Sequence, residues 1–339
     1  MSRSADLPGW HWPSFPKGLC GNLTDRERLG LPECYVAGPL EGELARAYAQ
    51  SAGASRESLG DILASPSSSL AARIAAGNQL ALAGDPRIAT IAPEMKEIPG
   101  GEARLGLPES QVGKVLATFV GLGLERSWIE KECPDHIVSI RRFRLARFPV
   151  TNAEYRDFLI DTGHPEIPTS WHFRRFPQER SNHPVYTVSP AAADAYAAWL
   201  ARSTGRAFRL PTESEWEWAA AGPEGREFPW GGQFDPALAN TAETGLFSTS
   251  PVGAFLGGES PFGNCDMAGN VEEYVADGYS PYPGGTYVAD HLTRIDAGYR
   301  VARGGGFARF RDLARTRRRH GWNPASGTYA MGFRLAESI

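Results

Sequence analysis

Of the seven histidines in this 339-residue chain, two stand among residues that could do chemistry with them: His172 in SWHFRRF and His320 in ARTRRRHGW. Two imidazoles with one carboxylate form a donor set that suits mononuclear iron. His172, His320 and Glu272, in GNVEEY, are therefore the candidates for a redox-metal site. No HxxxH pair occurs, so no single helical turn offers two imidazoles to one ion. Within the arginine run, an extended backbone would send Arg315, Arg317 and Arg319 to one side and Arg318 and His320 to the other. Such guanidinium forks suit a carboxylate or another anion. The competing reading is that they bridge carboxylates inside the fold.

Composition narrows the partners. Four cysteines, Cys20, Cys34, Cys133 and Cys265, show no CxxC spacing and are too few for a disulfide framework, which suits a reducing, cytoplasmic setting. A formal net charge of −4 gives no basic footprint for nucleic acid. No stretch approaches the roughly 20 apolar residues of a membrane span, and the N-terminus has no apolar run after its first arginine. The expected partner is a small-molecule or peptide substrate, or a protein.

These residues need a frame, and the punctuation for one is present. At 42% hydrophobic content the chain can bury a large core, and its length allows two units, 1–90 and 91–339. Residues 1–35 carry Trp10, Trp12 and Phe15 among prolines and read as an irregular arm or a disordered one. From Glu41 to Gly84 the pattern is helical, with Ser69 as a cap and Gly84 followed by Pro86 as the stop. A short strand and Gly-rich turn are expected in MKEIPGGEARLGL (95–107), and a half-buried strand in IVSIRRFRLARFPV; residues 108–131 read as an insertion without a clear shape. Thr151 with Glu154 and Thr212 with Glu215 form capping boxes, while Ser189 and Pro190 open a helix that Gly205 closes. After residue 222 the chain is Gly/Pro-rich, suiting small sheets joined by irregular segments. The fold class is α+β.

The strings RLPTESEWEWAAA (209–221), DMAGNVEEY (266–274), RGGGF (303–307) and GFRLA (332–336), in this order, resemble the sulfatase-modifying-factor family, which includes the formylglycine-generating enzymes. RFPVTNAEYRDFL, HPVYTVSPAAADAYAAWL, FPWGG and TSPVGAF fit the same pattern, and the resemblance covers roughly residues 92–339. It implies a C-type-lectin-like domain with small antiparallel sheets, preceded here by a small helical region.

The resemblance also implies sites. Formylglycine generators hold copper between two cysteines shortly after the RGG segment, and those positions fall on Arg309 and Ala314. Arginine and alanine cannot ligate a soft Cu(I) ion, so copper is not expected, and Arg309 becomes a catalytic candidate of another kind. Relatives that make sulfur-containing histidine derivatives place iron on a three-histidine set in a separate helical bundle, yet the first 90 residues hold only His11. The family's calcium loop maps without departure to Asp266, Gly269, Val271 and Glu273; a second calcium site would map to Asn240, Thr241 and Glu243, with Thr244 standing where relatives carry aspartate. The family string NVWEW reads NVEEY, so a tryptophan that borders the active pocket is replaced by Glu272. His136 and His183 match positions where relatives carry histidine and are expected to tie loops to the core. Arg303 and Arg334 are expected to be structural. Two accounts follow: an oxidase-type enzyme, as in relatives of siderophore maturation that also lack the thiols, or a non-catalytic binding module stabilised by calcium.

Overall fold

The computed structural model describes residues 25–31, 34–322 and 329–339. The aromatic arm with Trp10, Trp12 and Phe15, together with His11 and Cys20, lies outside the described residues. Helices Glu41–Ser51, Arg56–Ala64 and Leu70–Ala83 form the expected preface. Ser55 and Ser69 accept hydrogen bonds from the Ser58 and Ala72 amides, satisfying donors that a first turn leaves orphaned. The third helix is stitched to the body: Asn182 Nδ2 donates to the Gly77 carbonyl (2.9 Å), Ser181 Oγ to that of Ala81 (2.6 Å) and Arg73 Nε to that of Ala254 (2.7 Å). His183 does tie a loop to the frame, with Thr249 on Nδ1 and Asn78 on Nε2, and burial lowers its pKa to about 3.

The strands are short: β1 Met95–Ile98, β2 Gly101–Leu105, β3 His136–Ile140, β4 Phe143–Ala146, β5 Phe208–Arg209, β6 Glu272–Gly278, β7 Arg300–Arg303, β8 His320–Gly321, β9 Met331–Phe333 and β10 Ala336–Ser338. They form sheets of order β1-β4-β10-β5, β2-β3 and β8-β7-β6-β9. Two details depart from expectation. The apparent single strand at IVSIRRFRLARFPV breaks at the exposed Arg141 and Arg142, sending β3 to one sheet and β4 to another. Pairing of β6 with β9 is parallel, with Glu272 opposite Met331.

The capped helices sit where the punctuation put them. Asn152–Thr162 and Glu213–Ala221 each begin with a complete capping box, and Pro190–Thr204 is capped by Ser189 and ends at Gly205 in the left-handed conformation. Helices Asn152–Thr162 and Pro190–Thr204 pack an aromatic core of Tyr155, Phe158, Tyr196, Trp199 and Phe333 beneath β9, while Trp216 and Trp218 of the Glu213–Ala221 helix enter a separate core with Phe143 and Leu145. Residues 108–131 form helices Val112–Thr118 and Arg126–Glu130, which close a second core around Leu107, Phe119, Phe228 and Ala314.

Four buried arginines brace these layers. Arg303 reaches Glu213 and Glu217, Arg319 forks onto Glu213 (2.8 and 2.7 Å), Arg315 reaches Glu132 and Glu227, and Arg334 forks onto Glu273 (2.6 and 2.5 Å). The internal-bridge reading of the arginine run is thus the one seen. A buried charge is tolerated only with such partners, since its desolvation is costly.

Candidate active site around Glu272

Glu272 opens β6 and is fully buried. Arg309, which follows the RGGGF turn, donates from Nε to Glu272 Oε1 at 2.8 Å, and His320 on β8 brings Nδ1 to Oε2 at 2.5 Å. The turn can deliver Arg309 because Gly305 adopts φ +67, where any Cβ would lie 2.9 Å from the Leu313 backbone. Tyr329 completes the cluster, with the Arg309 guanidinium 3.9 Å from its ring centroid and the His320 ring stacked on it at 5.3 Å. Phe307, two residues before Arg309, meets Tyr186 edge-on at 5.6 Å.

Electrostatics fix the protonation states. Burial alone would raise the Glu272 carboxyl, but His320 and Arg309 hold it down at about 2. Burial lowers His320 to about 4 against the pull of Glu272, so the imidazole is neutral near pH 7. An ionised carboxylate can only accept, hence Nδ1 carries the proton and Nε2 is the basic nitrogen. The group is a carboxylate–imidazole pair whose charge is balanced by one guanidinium. Nη2 of Arg309 is buried and has no hydrogen-bond partner among the described residues.

The other predicted residues are distributed differently. His172 is exposed on the one-turn helix His172–Arg174, and no group of three His, Cys, Asp or Glu among the described residues could hold a metal ion. Of the expected iron set, the structure brings Glu272 and His320 together in the interior, while His172 stands on an exposed turn. Ala314 is buried in an apolar cluster and offers no ligand, and Cys133 and Cys265 are buried thiols whose pKa values burial raises to about 12 and about 11. A thiolate copper site does not fit these residues.

Calcium fits unevenly. In the 266–273 loop, Asp266, Gly269 and Asn270 all take positive φ, and a Cβ on Gly269 would lie 2.4 Å from the Asn240 carbonyl oxygen. Burial raises the Asp266 carboxyl to about 6. Glu273, however, has both oxygens engaged by Arg334 and Trp216 Nε1 (2.7 Å). The second set shows the reverse: Asn240 Oδ1, Thr241 Oγ1 and Glu243 Oε2 are buried oxygens without a hydrogen-bond partner among the described residues, the kind of hard donor a calcium ion takes. Val271 and Gly269 contribute backbone only.

Tyr329 was not among the residues singled out from the sequence. Its only signal is position, since it lies just ahead of the GFR string.

A fold of small sheets and capped helices, with a buried charged cluster beside an RGG turn, places the protein in the class of formylglycine-generating-enzyme-like domains. The family described as Sulfatase-modifying factor enzyme 1-like domain matches residues 83–339, and the chain belongs to it. It is 34% identical over 248 residues to a hercynine oxygenase of Mycolicibacterium smegmatis, covering 62% of this chain and 56% of that protein. A formylglycine-generating enzyme of Streptomyces coelicolor is 32% identical over 270 residues, covering 60% of this chain and 81% of that one. The structure of PvdO from Pseudomonas aeruginosa superposes with a TM-score of 0.56 at 27% identity, over 74% of this chain and 96% of PvdO. The chain thus spans about half the length of the hercynine oxygenase it matches. No helix among the described residues is long and apolar enough to cross a membrane.

Proposed function

We propose that this protein is an oxidase-type enzyme of the family, acting on a small molecule or peptide at the Glu272–Arg309–His320–Tyr329 cluster rather than at a thiolate copper centre. The observation that carries the reading is the Arg309–Glu272 ion pair, which occupies with charge the place where the family resemblance puts a metal-binding thiol. Glu272 holds the His320 tautomer and Arg309 holds Glu272 ionised, leaving Nε2 as a general base for a substrate proton. In an oxidase reaction the substrate gives up two electrons and two protons. Dioxygen takes both and leaves as hydrogen peroxide, and His320 receives the first proton.

Calcium, in this reading, is structural and is held by Asp266 with the Gly269 and Val271 carbonyls, or by Asn240, Thr241 and Glu243. The second reading, a lectin-like binding module, is favoured by Arg309 and Ala314 standing where the resemblance puts the two metal-binding thiols, whereas the buried ion-pair frame is neutral, since any folded member needs it.

The test is oxygen uptake with peroxide detection on purified protein offered hercynine and cysteine-containing peptides, because the relatives are named for hercynine and for formylglycine formation. Uptake by wild type that is lost in Glu272→Gln and His320→Asn supports the enzyme. Tight binding without uptake in any variant supports the module.

A further inference from the structure

The segment 248–255 has the helical preface on one side and both candidate cation loops on the other. Toward the preface it meets the helix Leu70–Ala83 closely. Arg73 Nε donates to the Ala254 carbonyl at 2.7 Å, and His183 joins Asn78 Oδ1 at Nε2 (2.8 Å) to Thr249 Oγ1 at Nδ1 (3.0 Å). Ala254 and Phe255 share a core with Leu59, Leu63, Ile74 and Leu80. At Gly77 there is no room to spare: an added Cβ would lie 2.5 Å from Pro251 Cβ, an overlap that only a shift of the segment could relieve.

Toward the loops the same segment supplies hydrogen-bond partners. The Ser250 amide donates to Asn270 Oδ1 (3.0 Å), its carbonyl accepts from Asn270 Nδ2 (3.2 Å), and the Gly253 amide donates to Asp266 Oδ2 (2.7 Å). Asn240 Nδ2 donates toward the Ser248 carbonyl (2.9 Å) and Ser250 Oγ (3.3 Å). A side-chain amide whose nitrogen is committed in this way presents its oxygen in the opposite direction. That oxygen, Asn240 Oδ1, is buried and has no hydrogen-bond partner among the described residues. Ser248 and Ser250 therefore aim the Asn240 donor, and the helix behind them fixes where they stand.

We propose that the helical preface positions the cation site: its packing on 248–255 holds the stretch that aims Asn240 Oδ1, so docking of the helix Leu70–Ala83 and binding of calcium at Asn240, Thr241 and Glu243 favour one another. The proposal rests on the assignment of calcium to that set and adds the element that holds the set in place. Two contiguous courses carry the coupling, Gly77 to Pro251 by packing and Asn78 to Thr249 through His183, and they meet at Ser250. Linkage makes the effect reciprocal: the factor by which a displaced helix weakens calcium is the factor by which calcium holds the helix down.

The test is calorimetric titration of the intact, chelator-treated protein with calcium chloride, in wild type, Gly77→Ala and Gly60→Ala. Gly60 lies in the helix Arg56–Ala64, where an added Cβ meets nothing within 4 Å, so it carries the same gain in helix propensity without the clash. Gly77→Ala is expected to weaken calcium roughly tenfold and Gly60→Ala to leave it unchanged. In wild type, saturating calcium should slow amide hydrogen exchange across Leu70–Ala83 by a comparable factor. Should Gly77→Ala fail to fold, the exchange measurement decides alone. An affinity in Gly77→Ala equal to that in Gly60→Ala, or exchange in the helix indifferent to calcium, overturns the proposal and leaves the calcium assignment standing. No calcium binding by wild type, or binding that survives Glu243→Gln, removes that assignment and the proposal with it.

Discussion

Arg309 Nε lies 2.8 Å from Glu272 Oε1, joining a glycine-delivered turn to the first residue of β6 and making the centre of this site ionic. A family signature that elsewhere ends in thiols ends here in a guanidinium whose counter-charge has replaced an aromatic wall.

That pairing predicts the outcome of Glu272→Gln. The substitution keeps shape but leaves Arg309 buried without its counter-charge, and breaking such a pair from one side costs about 3–5 kcal/mol. A lowered denaturation midpoint with unchanged slope in urea is expected. The double variant Glu272→Gln with Arg309→Met should recover part of that loss, because the uncompensated charge is gone.

Acid should weaken the fold in a defined window. His320 is lowered from 6.5 to about 4 and His183 to about 3, so the unfolded chain binds their protons first. Their neutral forms favour the folded state fully above pH 6.5, and that contribution drains away as pH falls through the folded values. Glu272, lowered from 4.5 to about 2, adds a loss below pH 4.5. Thermal melts from pH 7 to pH 4 should show the fall. His320→Asn should flatten its upper part, and an unchanged profile in that variant would count against a buried neutral His320.

The brace around Glu213 makes a separate prediction. Glu213 accepts from Arg303 and Arg319 together, so Glu213→Gln leaves two buried cations short of charge. A destabilisation of about 3–5 kcal/mol is expected, exceeding the roughly 1 kcal/mol for removing the neighbouring cap by Thr212→Ala. Chemical denaturation of the two variants side by side checks the order.

Calcium binding should depend on pH through Asp266. Its carboxyl is raised from 3.8 to about 6, so a cation there must displace a proton at pH 5 but hardly at pH 7. Calorimetry in two buffers of different ionisation heat should detect proton release at pH 5 only. Absence of release at both values would shift the assignment to Asn240, Thr241 and Glu243, whose orphaned oxygens are the better fit.

Much of the frame was legible because it is written locally. A capping serine or threonine and its partner three residues on need no tertiary information, and the boxes at Thr151 and Thr212 appear as read. The site was legible in pieces: Glu272, Arg309 and His320 were each singled out. Their mutual pairing was not, because it joins Glu272 on β6 to a turn residue 37 positions on and to a β8 residue 48 positions on. His172 was grouped with them on residue type alone, and its exposed turn separates it from the buried pair. Tyr329 carries no local pattern, and the break at Arg141–Arg142 is visible only once two sheets compete for the strand.

The central claim is that the chemistry runs on the Glu272–Arg309–His320 cluster and not on a thiolate-held metal. Its most direct test is metal content, by mass spectrometry, of untagged protein purified without chelator, read together with oxygen uptake before and after chelation. The account predicts calcium as the stoichiometric metal, only traces of copper and iron, and uptake that survives chelation. Copper or iron near one per chain, removed by chelator together with the activity, would contradict it.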